Sequence, residues 1–234
     1  MPPAVDRRDA VVAALTLAAV VSVFGVAFGV GAVAADASVA QTCVMSLLVF
    51  TGASQFSAVS VVAAGGTAGA ALGGAMLLAA RNGVYGLTVS RIIRGSLAKR
   101  LLAAHLTIDE STAMATAQRD PHTQRVAFWV TGVAVYVSWN VGTLIGALAG
   151  SAIDPQTYGL DAAFPAGFVA MVAPQLRRPP GLLAGALGAA ICLVLIPFTP
   201  VGVPILCSSV AVLVGIPART TLRVESVPGT AGVP

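Results

Sequence analysis

Residues 37–80 read ASVAQTCVMSLLVFTGASQFSAVSVVAAGGTAGAALGGAMLLAA, a run without one Asp, Glu, Lys or Arg. A helix crosses the hydrocarbon core of a bilayer with about 20 apolar residues, so this stretch alone is long enough for two crossings. Residues 10–35, 126–153, 162–176 and 179–218 are equally free of charge. Across all 234 residues, 57% are hydrophobic and 9% charged, and the mean hydropathy is +0.90. Soluble domains carry roughly 25% charged residues; a water-facing surface cannot be built from this composition. A β-barrel would alternate apolar and polar residues over ~10-residue segments. Stretches such as Val11–Val30 and Leu182–Ile196 are instead continuously apolar. In lipid such runs must satisfy their backbone groups internally, as helices. The fold class is therefore all-α, a polytopic membrane helical bundle.

Seven apolar segments stand out, at about 10–35, 38–64, 67–90, 126–150, 160–176, 181–197 and 200–217. The first, preceded by Arg7-Arg8, superficially resembles a signal peptide. Its apolar stretch exceeds the usual 7–15 residues, so it reads as a retained helix. The formal charge of +4 belongs to basic clusters between segments, which are topology signals and not a nucleic-acid footprint. The one sizeable polar stretch, 91–125, carries Arg91, Arg94, Lys99, Arg100, Arg119 and Arg125. With that loop in the cytoplasm, as basic loops prefer, Arg177-Arg178 and the C-terminus are cytoplasmic too. Three crossings before residue 91 then put the N-terminus outside, against the preference of Arg7-Arg8.

An internal match points to a repeat. Gly25-Val-Ala-Phe-Gly29 matches Gly142-Thr-Leu-Ile-Gly146, and Ala70-Ala-Leu-Gly-Gly-Ala matches Gly185-Ala-Leu-Gly-Ala-Ala at nearly the same offset. Three segments per copy is an odd number, so the copies would be inverted, as in many secondary transporters. One membrane domain spanning 1–234 follows: repeat 1 at about 10–90, the loop at 91–125, repeat 2 at about 126–197 and an extra helix at about 200–217.

Few residues inside the apolar segments can carry chemistry. Phe50-Thr-Gly52-Ala53-Ser54-Gln55-Phe56 interrupts segment two, and Pro165-Ala-Gly167 interrupts segment five. Paired interruptions in two halves point to a transport site built on broken helices. Gly52 would break the helix, leaving backbone amides and Gln55 free for a polar group. Arg81-Asn82 lies within segment three, and an intramembrane arginine signals function. Trp139 and Asn140 sit midway along segment four. Asp161 opens segment five, and Thr107-Ile-Asp109-Glu110 has the spacing of a capping box that starts a helix. Cys43, Cys192 and Cys207 read as small buried hydrophobes. No Ser/His/Asp set, metal-ligand cluster or phosphate loop is present in the membrane runs, so no metal site, cofactor or nucleotide motor is expected, and a membrane-embedded enzyme is the third reading after the transporter and the channel or assembly subunit.

The blocks Met45–Phe56, Ala80-Arg-Asn-Gly-Val-Tyr-Gly-Leu87, Asp109-Glu-Ser111, Trp139-Asn-Val-Gly-Thr143 and Tyr158–Ala166 resemble, in order and spacing, the AzlC-type branched-chain amino acid permeases. The resemblance covers about residues 10–200. It implies export of leucine, isoleucine, valine and related amino acids across the bacterial inner membrane, with a small AzlD-type membrane partner on a separate chain. The family frequently has His after the arginine of segment three, where this chain has Asn82; a proton relay through that histidine is therefore in doubt here. Residues and resemblance together place the substrate at Gly52, Ala53, Ser54, Gln55, Phe56, Arg81, Asn82, Trp139 and Asn140. Phe24 and Phe56 would meet the branched side chain, and Asp109, Glu110 or Asp161 would couple transport to an ion. The alternative function is a channel or membrane-assembly subunit without a transport cycle.

Overall fold

The computed structural model describes residues 7–152 and 176–211, with isolated positions 166, 169, 172, 173 and 213. In segment five, Asp161, Pro165 and Gly167 lie outside the described residues. Every described element is helical. The elements are α1 (Arg7–Ala34), α2 (Val39–Leu48), α3 (Ala53–Ala63), α4 (Ala68–Ile92), α5 (Leu97–His105), α6 (Asp109–Thr116), α7 (Pro121–Ala152), α8 (Pro179–Leu195) and α9 (Val203–Ser208). A 3₁₀ turn, Ser209–Ala211, follows α9.

Polarity is inside out relative to a soluble protein. Leu15, Val20, Val133, Val137 and Ile145 are exposed, while Ser46, Ser54, Gln55, Ser111, Thr131 and Thr143 are fully buried. An apolar exterior over a polar interior suits lipid as the surrounding solvent. Within α1 and α7, Val11–Ala34 and Pro121–Ala152 are long and apolar enough to cross a membrane. At 25 residues, α4 extends about 37 Å.

The glycine motifs of α1 and α7 press against each other. A Cβ at Gly142 would collide with Ser22 O, one at Gly146 with Val26 O, and one at Gly150 would crowd Val30. Each step of four on one helix meets a step of four in the same sense on the other, so α1 and α7 run parallel. An inverted repeat requires the opposite direction for this pair. The glycine match thus marks a close helix contact, and the expected inversion does not relate α1 to α7.

Between the long helices the chain twice enters the bundle and returns. After α1 it reverses through Asp36, at φ 65°, and Ser38, whose capping box with Gln41 starts α2. α2 runs back along α7, with Ser46 Oγ donating to Thr143 Oγ1 at 3.1 Å and Tyr136 Oη to Leu47 O at 3.2 Å. At ten and eleven residues, α2 and α3 are each about 15 Å long, half the hydrocarbon core. The break between them, at Gly52 with φ 58°, reverses the direction. α3 climbs back beside α1, where Phe56 meets Phe28 with ring centroids 5.7 Å apart. It then descends through Gly65 into α4, with Ser57 against Gly74. Segment two folds back on itself as a helical hairpin at Gly52 and does not run through as one helix: a composition count cannot see a reversal made by one glycine.

The polar stretch 91–125 repeats this from the other end. Arg125 Nε donates to Ile92 O at 3.2 Å, which fixes the end of α4 beside the start of α7. α5 climbs along α4, and Leu106 packs on Gly132 in α7. α6 then descends until Gln118 O accepts from Gln124 Nε2 at 2.9 Å. The expected cytoplasmic loop is therefore a second hairpin whose tip reaches the depth of Arg81. The N-cap of α6 is Ile108, with its N–H held by Ser111 Oγ at 3.1 Å, not Thr107, whose hydroxyl donates to Ala103 O. Asp120 caps α7; Thr123 N–H and Oγ1 hold its carboxyl below the usual carboxylate range.

Two long helices, α1 and α4, precede residue 93, so the N-terminal end of α1 lies at the same end of the bundle as Arg91, Arg94, Arg119 and Arg125. That corrects the expectation of opposite sides, and it removes the conflict with Arg7-Arg8. Outside this core, α8 carries no buried residue, and α9 sets Leu206 against Gly73.

Candidate functional site

The two hairpins have the same local chemistry at their tips. Thr51-Gly52-Ala-Ser-Gln55 and Thr107-Ile108-Asp-Glu-Ser111 each place a Thr before the N-cap. In each, the side chain three residues past the cap accepts from or bonds the cap N–H: Gln55 Oε1 for Gly52 at 3.2 Å and Ser111 Oγ for Ile108. Entering from opposite ends, the tips meet at Phe50 and His105, whose rings lie 6.2 Å apart. Both rings also rest on Tyr136 of α7, at 5.0 and 5.4 Å.

A cavity of about 90 Å³ lies inside this meeting point, lined by Val21, Phe24, Phe50, Thr51, Gly52, Arg81, Ile108, Asp109, Glu110, Val135 and Trp139. The N-cap of α3, Gly52, and the first residues of α6, Asp109 and Glu110, line it, so two positive helix ends converge there. Arg81 Nη1 donates to Asp109 Oδ2 at 2.6 Å, with both side chains about one-third exposed. Glu110 lines the cavity next to that pair. Phe24, Phe50, Val135 and Trp139 form an apolar wall opposite it.

The sequence-predicted residues divide. Gly52, Arg81, Asp109, Glu110 and Trp139 line the cavity. Gln55 does not: it is fully buried, and its amide donates to Met45 O at 3.4 Å while Oε1 caps Gly52. It pins α2 to α3. Ala53 and Ser54 are buried behind the tip, where Ser54 Oγ pairs with Thr51 Oγ1. Phe56 stands behind Trp139, ring centroids 6.0 Å apart, in a stack completed by Phe28. Asn140 Nδ2 donates to Tyr136 O at 2.8 Å, and Asn82 faces a different cavity. Phe50, Ile108 and Val135 were not legible as site residues, because an apolar wall residue in an apolar sequence carries no contrast.

Among the described residues no group of three or more His, Cys, Asp or Glu side chains could hold a metal ion.

A helical bundle with an apolar exterior, two helical hairpins turned into it and an ion pair at their meeting point is a helical membrane protein. The family model described as "AzlC protein" matches residues 16–153. A protein of Escherichia coli strain K12 described as "Inner membrane protein YgaZ" is 31% identical over 204 residues, covering 81% of this chain and 78% of that one. The chain belongs to the AzlC family, and its role is of the membrane-transporter type. No solved structure matches it.

Proposed function

We propose that the protein is the large subunit of a two-component exporter that moves branched-chain or related hydrophobic amino acids across the bacterial inner membrane, together with a small AzlD-type membrane subunit. The observation that carries this reading is the Arg81–Asp109 pair facing an apolar wall between two helix breaks. An amino acid has the same pattern: a carboxylate, an ammonium and, for leucine, isoleucine or valine, an aliphatic branch. Arg81 and the α3 start suit the carboxylate, Asp109 and Glu110 suit the ammonium, and Phe24, Phe50 and Trp139 suit the branch.

The cavity of about 90 Å³ is smaller than the ~150 Å³ void that admits benzene. The described conformation is thus contracted, and substrate entry requires the tips to separate and the pair to open. With the basic end in the cytoplasm, the start of α1 and the turns at 93–96 and 117–120 are cytoplasmic. Glu110 and Asp109 are the described candidates for ion coupling, and Asp161 is the third. Efflux of radiolabelled leucine from proteoliposomes tests the function. Saturable flux stimulated by leucine on the far side supports a carrier. Linear, unstimulated flux supports the alternative, a channel, and no flux with or without the small partner supports an assembly subunit.

A further inference from the structure

A second cavity, of about 260 Å³, lies across the tips from the first, and Phe50 and Thr51 line both. Its other lining residues include Leu48, Val49, Asn82, His105 and Thr107. The polarity of the backbone is opposite on the two sides. The first cavity receives the starts of α3 and α6; the second receives the ends of α2 and α5. The last carbonyls of a helix lack partners within it and together carry about half a negative charge.

Neighbouring groups satisfy only some of these carbonyls. Tyr136 Oη reaches Leu47 O, Thr51 Oγ1 reaches Val49 O and Thr107 Oγ1 reaches Ala103 O. Among the described residues, no hydrogen bond reaches Leu48 O or His105 O. Asn82 Oδ1, shielded from solvent, also accepts none. Among the described residues, no Lys, Arg, Asp or Glu lines the cavity. Oxygen acceptors without a compensating donor are costly at bilayer depth, and unwound carbonyls at half-helix C-terminal ends are suited to hard monovalent cations. The absence of a carboxylate disfavours a divalent ion, whose usual ligands include Asp or Glu.

We propose that this second cavity binds an alkali-metal cation through the carbonyls ending α2 and α5, Asn82 Oδ1 and the Thr51 hydroxyl. Bound there, the cation holds the two tips together and so fixes whether the first cavity is contracted. The binding site stands on its own geometry; only its role in transport rests on the exporter reading.

Thermal unfolding of the purified full chain in NaCl, KCl and choline chloride at equal ionic strength tests it. A saturable rise in Tm with Na⁺ or K⁺ over choline is expected. Asn82→Ala should raise the half-saturating concentration about tenfold, the loss of one modest contact, and Asn82→Asp, which keeps the side-chain length and adds charge, should lower it. Equal Tm in all three salts, or a cation shift identical in Asn82→Ala and Asn82→Asp, overturns the site. A shift produced by leucine in choline but by neither metal also overturns it, because the occupant is then the substrate ammonium. Leucine flux measured in the same salts separates the two readings. A cation-dependent Tm without leucine flux sinks the exporter and leaves the site. Flux without any cation-dependent Tm does the reverse.

Discussion

Arg81, midway along α4, donates to Asp109, the first residue of α6, across the space where two half-crossing hairpins meet. A contact between residues 28 apart in sequence ties a full-length helix to the tip that enters from the basic end. It is the described link through which motion of that tip can be felt at the cavity.

Removing one member of the pair strands the other charge in a low-dielectric setting. Arg81→Ala and Asp109→Asn should each cut leucine efflux from proteoliposomes tenfold or more. The double variant Arg81→Ala/Asp109→Asn should recover folded yield, because no charge is left uncompensated, yet remain inactive. Efflux and size-exclusion profiles of the three variants check this. Recovery of transport in the double variant would assign the pair to folding alone.

Gln55 behaves differently. Gln55→Ala leaves Gly52 N–H without its partner inside the bundle and removes the tie from α3 to Met45 O, which keeps its bond from Val49 N–H; a buried group left unsatisfied costs about 1–3 kcal/mol. Its Tm should fall, while the KM for leucine of the folded fraction stays near wild type, since the side chain does not line the cavity. A large KM increase with unchanged Tm would return Gln55 to the substrate site.

The α1–α7 contact depends on absent side chains. Gly146→Ala drives a Cβ into Val26 O, where helix backbone must move, at about 1–3 kcal/mol for overpacking. Gly83, with nothing within 4 Å of its added Cβ, is the control. Gly83→Ala should be neutral or slightly stabilising, because Ala is the better helix former by up to ~1 kcal/mol. Thermal unfolding of the two variants side by side measures the difference.

The sequence made the membrane class and the long helices α1 and α7 legible, because twenty uncharged residues have few other uses. It made Arg81 and Trp139 legible for the opposite reason: each is polar or bulky where its surroundings are small and apolar, whereas Asp109 showed through the capping-box spacing at Thr107–Glu110. What it hid was direction. Gly52 and Ile108 reverse the chain through backbone geometry, and segment two has the same composition whether it crosses or turns back. The parallel packing of Gly142 on Ser22 was hidden likewise, since a small-residue stripe specifies close approach but not its sense. An amide in lipid needs a partner, and Gln55 finds one in the neighbouring half-helix through Met45 O, a contact that sequence order does not reveal.

Direction is also the most accessible feature to test. A crossing in segment two places residues 36 and 65 on opposite faces of the membrane; a hairpin places them on the same face. In a background with Cys43, Cys192 and Cys207 replaced by Ser, single cysteines at Asp36 and Gly65 should both react with a membrane-impermeant maleimide added outside intact cells. Cysteines at Arg8, Arg94 and Arg119 should react only after the cells are opened, as basic residues held on the cytoplasmic side would. Asp36 and Gly65 sit in turns at the end remote from the basic residues, so neither substitution touches a packed contact. Labelling of Asp36→Cys and Gly65→Cys from opposite faces would restore segment two as a crossing. It would also carry the start of α1 to the outer face, against Arg7-Arg8, and would leave the tip contact between Phe50 and His105 without a route.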